Sequence, residues 1–138
     1  MKNILIIGSG VVGLAIAYEL SKKRGLNVFV VEKNKSIGLE NTSKSSEIIH
    51  AGVYYKTNFL KRKLAIEGKK LIYKFCKKYK IRHAKVGKLF IAKNKIEEKY
   101  LHLLKKQSLK NRLKDCKFIN YKKLKKMEPN VIGHKALM

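Results

Sequence analysis

Lys2-Asn3-Ile4-Leu5-Ile6-Ile7-Gly8-Ser9-Gly10-Val11-Val12-Gly13 is the stretch on which the fold turns. A short β-rich apolar run meets Gly8 and stops, as a buried parallel strand does. From Val11 to about Lys23 the pattern is helical, with Gly25 placed to end it, and Val28–Val31 is a second β-branched and aromatic run. Strand, helix and strand within about 30 residues predict a βαβ crossover. A bare Gly-x-Gly-x-x-Gly says little, but here it leaves a strand and opens a helix, which is the context of a dinucleotide fingerprint. Gly8 permits the tight turn off the strand. A side chain at Gly10 would block approach of the backbone to a pyrophosphate. Gly13 lets helix and strand pack closely, with Ala17 keeping that contact small one turn later. The helix N-terminus offers unpaired N–H groups and a positive dipole end to phosphates.

Glu32 lies 19 residues beyond Gly13, at the end of the second run. Its carboxylate suits both hydroxyls of an adenosine ribose and would repel a ribose phosphate, which argues against NADP. The motif alone does not separate FAD from NAD. An apolar stretch from Ile4 to Ala17 behind Lys2 also imitates a secretory leader, with Ala15-Ile16-Ala17 in place of a cleavage site. Such a leader has no need of three spaced glycines or of a downstream strand ending in Glu.

Outward from this unit, Lys33–Ser46 is rich in Lys, Asn, Ser, Thr and Gly without periodicity and reads as a functional loop. A long helix is expected from an N-cap at Thr57 to about Tyr79, its core face formed by Leu60, Leu64, Gly68, Leu71 and Phe75, with Ile72 and Cys76 alongside. Val86–Ala92 alternates as a strand. Asn94-Lys95-Ile96-Glu97 resembles a capping box ahead of a helix bearing Tyr100, Leu104 and Gln107. Lys117–Ile119 reads as a strand, Tyr121–Met127 as a short helix stopped by Glu128-Pro129, and Ala136-Leu137-Met138 as the start of another apolar element.

The 138 residues carry a net charge of +25, and the excess is uneven. Residues 1–58 hold 8 basic and 4 acidic side chains, residues 59–138 hold 26 and 5. Such a field would favour nucleic acid, an anionic membrane face or anionic substrates. The basic residues are almost all Lys along exposed helix faces, without the Arg and interleaved aromatics of specific nucleic-acid readers. A solvated lysine surface with no specific nucleic acid is therefore expected. Cys76 and Cys116 lie far apart without metal or disulfide spacing, so a reducing cytoplasm is the default. His83, His102 and His134 show no ligand spacing.

Residues 42–56, Thr-Ser-Lys-Ser-Ser-Glu-Ile-Ile-His-Ala-Gly-Val-Tyr-Tyr-Lys, decide between the two cofactors by resemblance. They are similar to the flavin-side segment of the D-amino-acid-oxidase-like superfamily, and most similar within it to the L-2-hydroxyglutarate dehydrogenase/oxidase family. The likeness continues through Leu60-Lys61, Gly87-Lys88-Leu89 and Glu128-Pro129 to Gly133. Ser45 stands where that family usually carries Asn, and Lys56-Thr57-Asn58 replaces a common Pro-Gly turn.

The resemblance implies an α/β chain: a Rossmann-like FAD-binding part over residues 1–80, then the beginning of an α+β substrate domain over 81–138. It covers only the front of a typical family member, so a truncated chain that does not turn over substrate by itself is expected. Gly8, Gly10, Gly13, Glu32, Thr42, Ser43 and Ser46 are the implied FAD-binding residues, the last three as hydroxyl donors to pyrophosphate and ribityl oxygens. His50 is the implied catalytic residue, a general base or orienting group near the flavin ring or substrate. The implied activity is oxidation of a dicarboxylate 2-hydroxy acid, L-2-hydroxyglutarate first, by hydride transfer to flavin. Electrons would pass on to oxygen or to a membrane quinone, the latter with peripheral contact at the inner membrane. A related amine or glycerol 3-phosphate oxidoreductase, or an inactive fragment with a basic nucleic-acid- or membrane-binding surface, are the alternatives.

Overall fold

The computed structural model describes residues 1–138, which fall into two compact units, Met1–Ile48 and Ile49–Met138. In the first, β1 (Lys2–Ile7), α1 (Val11–Ser21) and β2 (Leu26–Val31) form the expected βαβ unit. β1 and β2 pair in parallel, from Lys2 opposite Leu26 to Ile7 opposite Val31. α1 lies over the face that carries Ile6, since a β-carbon at Gly13 would come within 3.4 Å of that side chain. Ile4, Ile6 and Val28 are half-buried there. The opposite face, Leu5, Ile7, Phe29 and Val31, is exposed, Ile7 to 85%. The strands are therefore parallel as expected, yet covered on one side only. Gly25 ends the helix-to-strand turn with a φ of 79°, a left-handed value that side chains with a Cβ disfavour.

The second unit holds α2 (Leu60–Lys78), β3 (Phe90–Ala92), α3 (Lys95–Lys110), β4 (Phe118–Asn120), α4 (Tyr121–Met127) and β5 (Lys135–Leu137). Its sheet has the order β3–β5–β4, antiparallel throughout. Only two strands are foreseen by local pattern. The third, β5, is the central one: Ala136 pairs with both Ile91 and Ile119. Burying Ala136 and Leu137 completely between two partners satisfies both sides of a three-residue strand, something no local signal in Lys135-Ala136-Leu137 announces.

One face of this sheet packs Leu137 and Ala92 with Val53, Leu101, Leu113 and Cys116; the other packs Ala136 with Ile119 and Leu124. α3 starts at Asn94, whose Oδ1 accepts the Glu97 N–H at 2.9 Å while Glu97 accepts the Lys93 N–H at 2.7 Å, the reciprocal logic of a capping box. Glu98 then ties α3 to β5, accepting from Lys135 Nζ at 2.5 Å and facing His134 Nε2 at 3.1 Å.

The face of α2 corrects its sequence reading. Leu60, Leu64 and Leu71 are exposed; Cys76 is buried as expected, and Ile66, outside the expected stripe, turns inward. The preceding segment decides this: it closes on the helix so tightly that a β-carbon at Gly52 would stand 3.0 Å from Ile66 Cγ1. The expected cap at Thr57 is also absent. Phe59 occupies the cap position without a side-chain bond, and the Thr57 hydroxyl is engaged by Asn111 instead. Because Ile66 packs with Val53 and Leu137, the compact units divide between Ile48 and Ile49, ahead of the boundary at residue 80 expected from sequence.

Candidate functional site

The first unit carries a groove of about 860 Å³ at the end of the parallel strands, lined by Gly8, Gly10, Val11, Glu32, Thr42 and Ser45 among others. That is the size range of a cofactor site. It is built from the glycine loop outward. Gly8 turns off β1 with φ 99°, and its N–H donates to the Val31 carbonyl at 2.8 Å, closing the end of the sheet. Gly13 is required by contact, because a β-carbon there would overlap the Gly8 carbonyl oxygen. At Gly10 the added carbon would stand 3.1 Å from Thr42 Oγ1, in the space over the first turn of α1.

The first turn itself is a donor cluster. Leu14 N–H is the first to join the helix ladder, reaching the Gly10 carbonyl at 3.0 Å. Val11 N–H donates to Thr42 Oγ1 at 3.0 Å. The amides of Gly10, Val12 and Gly13 have no partner in the chain, which is the donor deficit of a helix start that an anion satisfies.

Glu32 sits beside this loop and holds it. One carboxylate oxygen accepts both the N–H and the hydroxyl of buried Ser9, each at 2.9 Å. The other accepts the Asn34 N–H at 3.0 Å and its side-chain amide at 3.1 Å. The Ser9 backbone N–H first, then that of Asn34, hold the carboxyl down at about 2, so it is ionised at any physiological pH. Two of its four donors are side chains, which ribose hydroxyls can replace without breaking the backbone bonds that shape the loop. Ser9 is a participant that sequence reading missed. Its only signal was its place between Gly8 and Gly10.

Of the three loop hydroxyls proposed from sequence, the structure brings Thr42 to the groove. The Ser43 hydroxyl is spent locally, donating toward the carbonyls of Leu39 at 2.6 Å and Glu40 at 2.9 Å, the usual competition of a short hydroxyl with its own turn. Ser46 is exposed and outside the groove lining, while Ser45, the residue that departs from the family pattern, is part of it.

His50 belongs to the second unit. Its Nδ1 lies 3.3 Å from the Tyr54 hydroxyl. Tyr54 meets Tyr55 edge-on with ring centres 4.8 Å apart, and burial followed by the Tyr54 hydrogen bond raises the Tyr55 phenol above its ordinary pKa. Lys88 Nζ stands 5.9 Å from the Tyr54 ring centre, so a cation borders this aromatic pair.

Comparison with known proteins agrees with this architecture. A family model described as "FAD dependent oxidoreductase" (DAO) matches residues 3–138. A mitochondrial L-2-hydroxyglutarate dehydrogenase of Arabidopsis thaliana is 40% identical over 136 residues, 99% of this chain and 28% of that protein. Those of Mus musculus and Homo sapiens are 40% and 35% identical over 132 and 136 residues, 95% and 98% of this chain and 28% and 29% of theirs. The chain thus spans less than a third of the length of these curated relatives. With the βαβ unit, its glycine loop and the match across nearly all of its residues, the chain belongs to the DAO family of FAD-dependent oxidoreductases.

Proposed function

We propose that this chain supplies the ADP-binding end and part of the substrate side of an enzyme that oxidises L-2-hydroxyglutarate to 2-oxoglutarate. The observation that carries the reading is the cradle at the start of α1. Three unpartnered amides open the helix, and an added β-carbon at Gly10 would crowd Thr42 Oγ1 at 3.1 Å, an arrangement that suits the pyrophosphate of FAD. The names of the relatives support the substrate.

In this reading the amides of Gly10, Val12 and Gly13 hold the pyrophosphate and Glu32 accepts from the ribose hydroxyls. Thr42 and Ser45 close the groove, with the Ser43 hydroxyl supporting the turn ahead of them. FAD held here would supply the acceptor for the hydride of the carbinol carbon. His50 takes the hydroxyl proton: with Nδ1–H donating to Tyr54 Oη, Nε2 carries the lone pair that receives it. Lys56 and Lys88, near the aromatic pair in sequence or space, suit the second carboxylate of a dicarboxylate substrate. Electrons leave to oxygen or to a membrane quinone. The protein works in a reducing cytoplasm, with its lysine-rich second unit touching the inner membrane surface when a quinone is the acceptor. No helix is long and apolar enough to cross a membrane.

Two measurements test this. FAD titrated into the chain should bind, and Gly10→Val should abolish that binding while the CD spectrum stays largely unchanged, because the added side chain displaces Thr42 from the Val11 amide. Unchanged affinity would remove the cradle. In the protein as its gene encodes it, L-2-hydroxyglutarate should bleach the flavin under anaerobic conditions faster than glycerol 3-phosphate or amino acids do; bleaching by an amine instead would move the protein to a sister activity.

A further inference from the structure

Residues 50–57 have no helix or strand of their own, yet their shape is held from a distance of more than fifty residues. Asn111, the residue that ends α3, is 1% exposed. Its Nδ2 donates to the carbonyls of Gly52 at 2.8 Å and Tyr55 at 2.9 Å and lies 3.4 Å from that of Val53. Its Oδ1 accepts from the Thr57 hydroxyl at 3.2 Å. One turn earlier, Gln107 Nε2 lies 3.0 Å from the Tyr55 carbonyl, 3.1 Å from Thr57 Oγ1 and 3.2 Å from Asn111 Oδ1. Buried carbonyls outside secondary structure need donors. Here two side-chain amides replace the strand partner that this segment lacks.

The position chosen for the clamp is informative. The carbonyls of Val53 and Tyr55 flank Tyr54, and Tyr54 is the hydrogen-bond partner of His50. Gly52, clamped by Asn111, takes φ 81° and leaves no room for a β-carbon beside Ile66. The backbone anchors therefore fall on Gly52, Val53 and Tyr55, to either side of Tyr54. Burying a polar amide costs free energy that an apolar side chain would avoid. Its return is a fixed backbone.

From this geometry we infer that Asn111 and Gln107 are positioning residues: through the backbone around Tyr54 they set the orientation of the His50 imidazole. The role rests on the proposed reaction, in which His50 Nε2 receives the substrate proton. Only an amide serves at position 111, since it must donate to carbonyls on one side and accept a hydroxyl on the other. An aspartate of the same shape would set a carboxylate against the oxygens of Gly52 and Tyr55.

The test uses the FAD-loaded protein as its gene encodes it, in the variants Asn111→Asp, Gln107→Ala and Tyr54→Phe. Each should keep FAD affinity within about twofold, slow flavin reduction at saturating L-2-hydroxyglutarate, and displace the pH profile of that step. A loss of about tenfold or more is expected for Asn111→Asp and Tyr54→Phe, a fraction of what a general base contributes, and less for Gln107→Ala, which leaves the Asn111 anchors. The His50 ring nitrogens, followed by 15N NMR in the same proteins, should move with them. Tyr54→Phe leaves the clamp and the packing intact, so it reads the idea even where Asn111→Asp fails to fold. If the pH profile and the 15N shifts stay at their wild-type values in Gln107→Ala and Asn111→Asp, the clamp is merely structural and the inference falls. Wild-type flavin that no 2-hydroxy acid reduces would overturn the proposed reaction instead, while the 15N shifts would still decide the clamp.

Discussion

In the proposed function Glu32 serves two ends. Its four hydrogen bonds shape the glycine loop, and the same oxygens are those that would read a ribose. Glu32→Ala is expected to weaken FAD binding on the order of ten- to a hundredfold, the loss of charge-assisted bonds, measured by fluorescence titration; an unmoved affinity would show that ribose is read elsewhere. The pH dependence follows from its lowered pKa of about 2. A carboxylate with a depressed folded value stabilises the native state fully above its unfolded pKa and loses that contribution as pH falls toward the folded one. FAD affinity should thus be insensitive to Glu32 ionisation from pH 9 down to about 4.5, whereas the contribution of this carboxylate to the stability of the fold should fall away between about pH 4.5 and 2. Glu98 obeys the same sign. Lys135 first, then His134, hold it at about 2, so the wild-type melting point should drop between about pH 4.5 and 2. In Glu98→Gln that drop should be shallower, and the melting point at neutral pH lower by a few °C.

Elements divide into those whose context is local and those whose context is not. α3 begins where its capping residues say it begins, and Asn94→Ala should cost about 1 kcal/mol in urea unfolding. α2 is the opposite case. Its apolar stripe is real, but Ile66, which reaches the core, lies outside it. Leu124 is fully buried and Leu64 is 55% exposed. Leu124→Ala should therefore cost about 2–5 kcal/mol, a cavity value, and Leu64→Ala under about 1 kcal/mol. Equal losses at both positions would restore the stripe to the core.

At the scale of the whole molecule, charge and open apolar surface set the behaviour of the chain. A net +25 on 138 residues opposes compaction. Raising salt from about 10 mM to about 500 mM should therefore raise the melting temperature, as the screening length shrinks below the spacing of surface lysines. Leu5, Ile7, Phe29 and Val31 form an exposed apolar sheet face, an arrangement that parallel sheets rarely keep in water. The purified 138-residue chain should bind a hydrophobic dye, melt broadly and release FAD readily on dilution. A sharply melting yellow protein that oxidises 2-hydroxyglutarate would refute this expectation.

The sequence by itself determined the βαβ unit, the strand-to-helix turn at Gly8–Gly13 and the acidic residue at the end of β2. It did the same for the cap at Asn94, which accepts the N–H three residues on. All of these depend on residues within one or two turns of each other, so their physics is written in neighbouring letters. The tertiary structure alone decided that β5 is the middle strand, that Ile66 rather than Leu64 faces the core, and that Ser45 rather than Ser43 lines the groove. It alone bound Asn111 to a segment 56 residues away. In each of these cases several residues of suitable chemistry were available nearby. The choice fell to whichever the long-range packing brought within reach, and burial energy, unlike a cap or a glycine turn, is indifferent to distance along the chain.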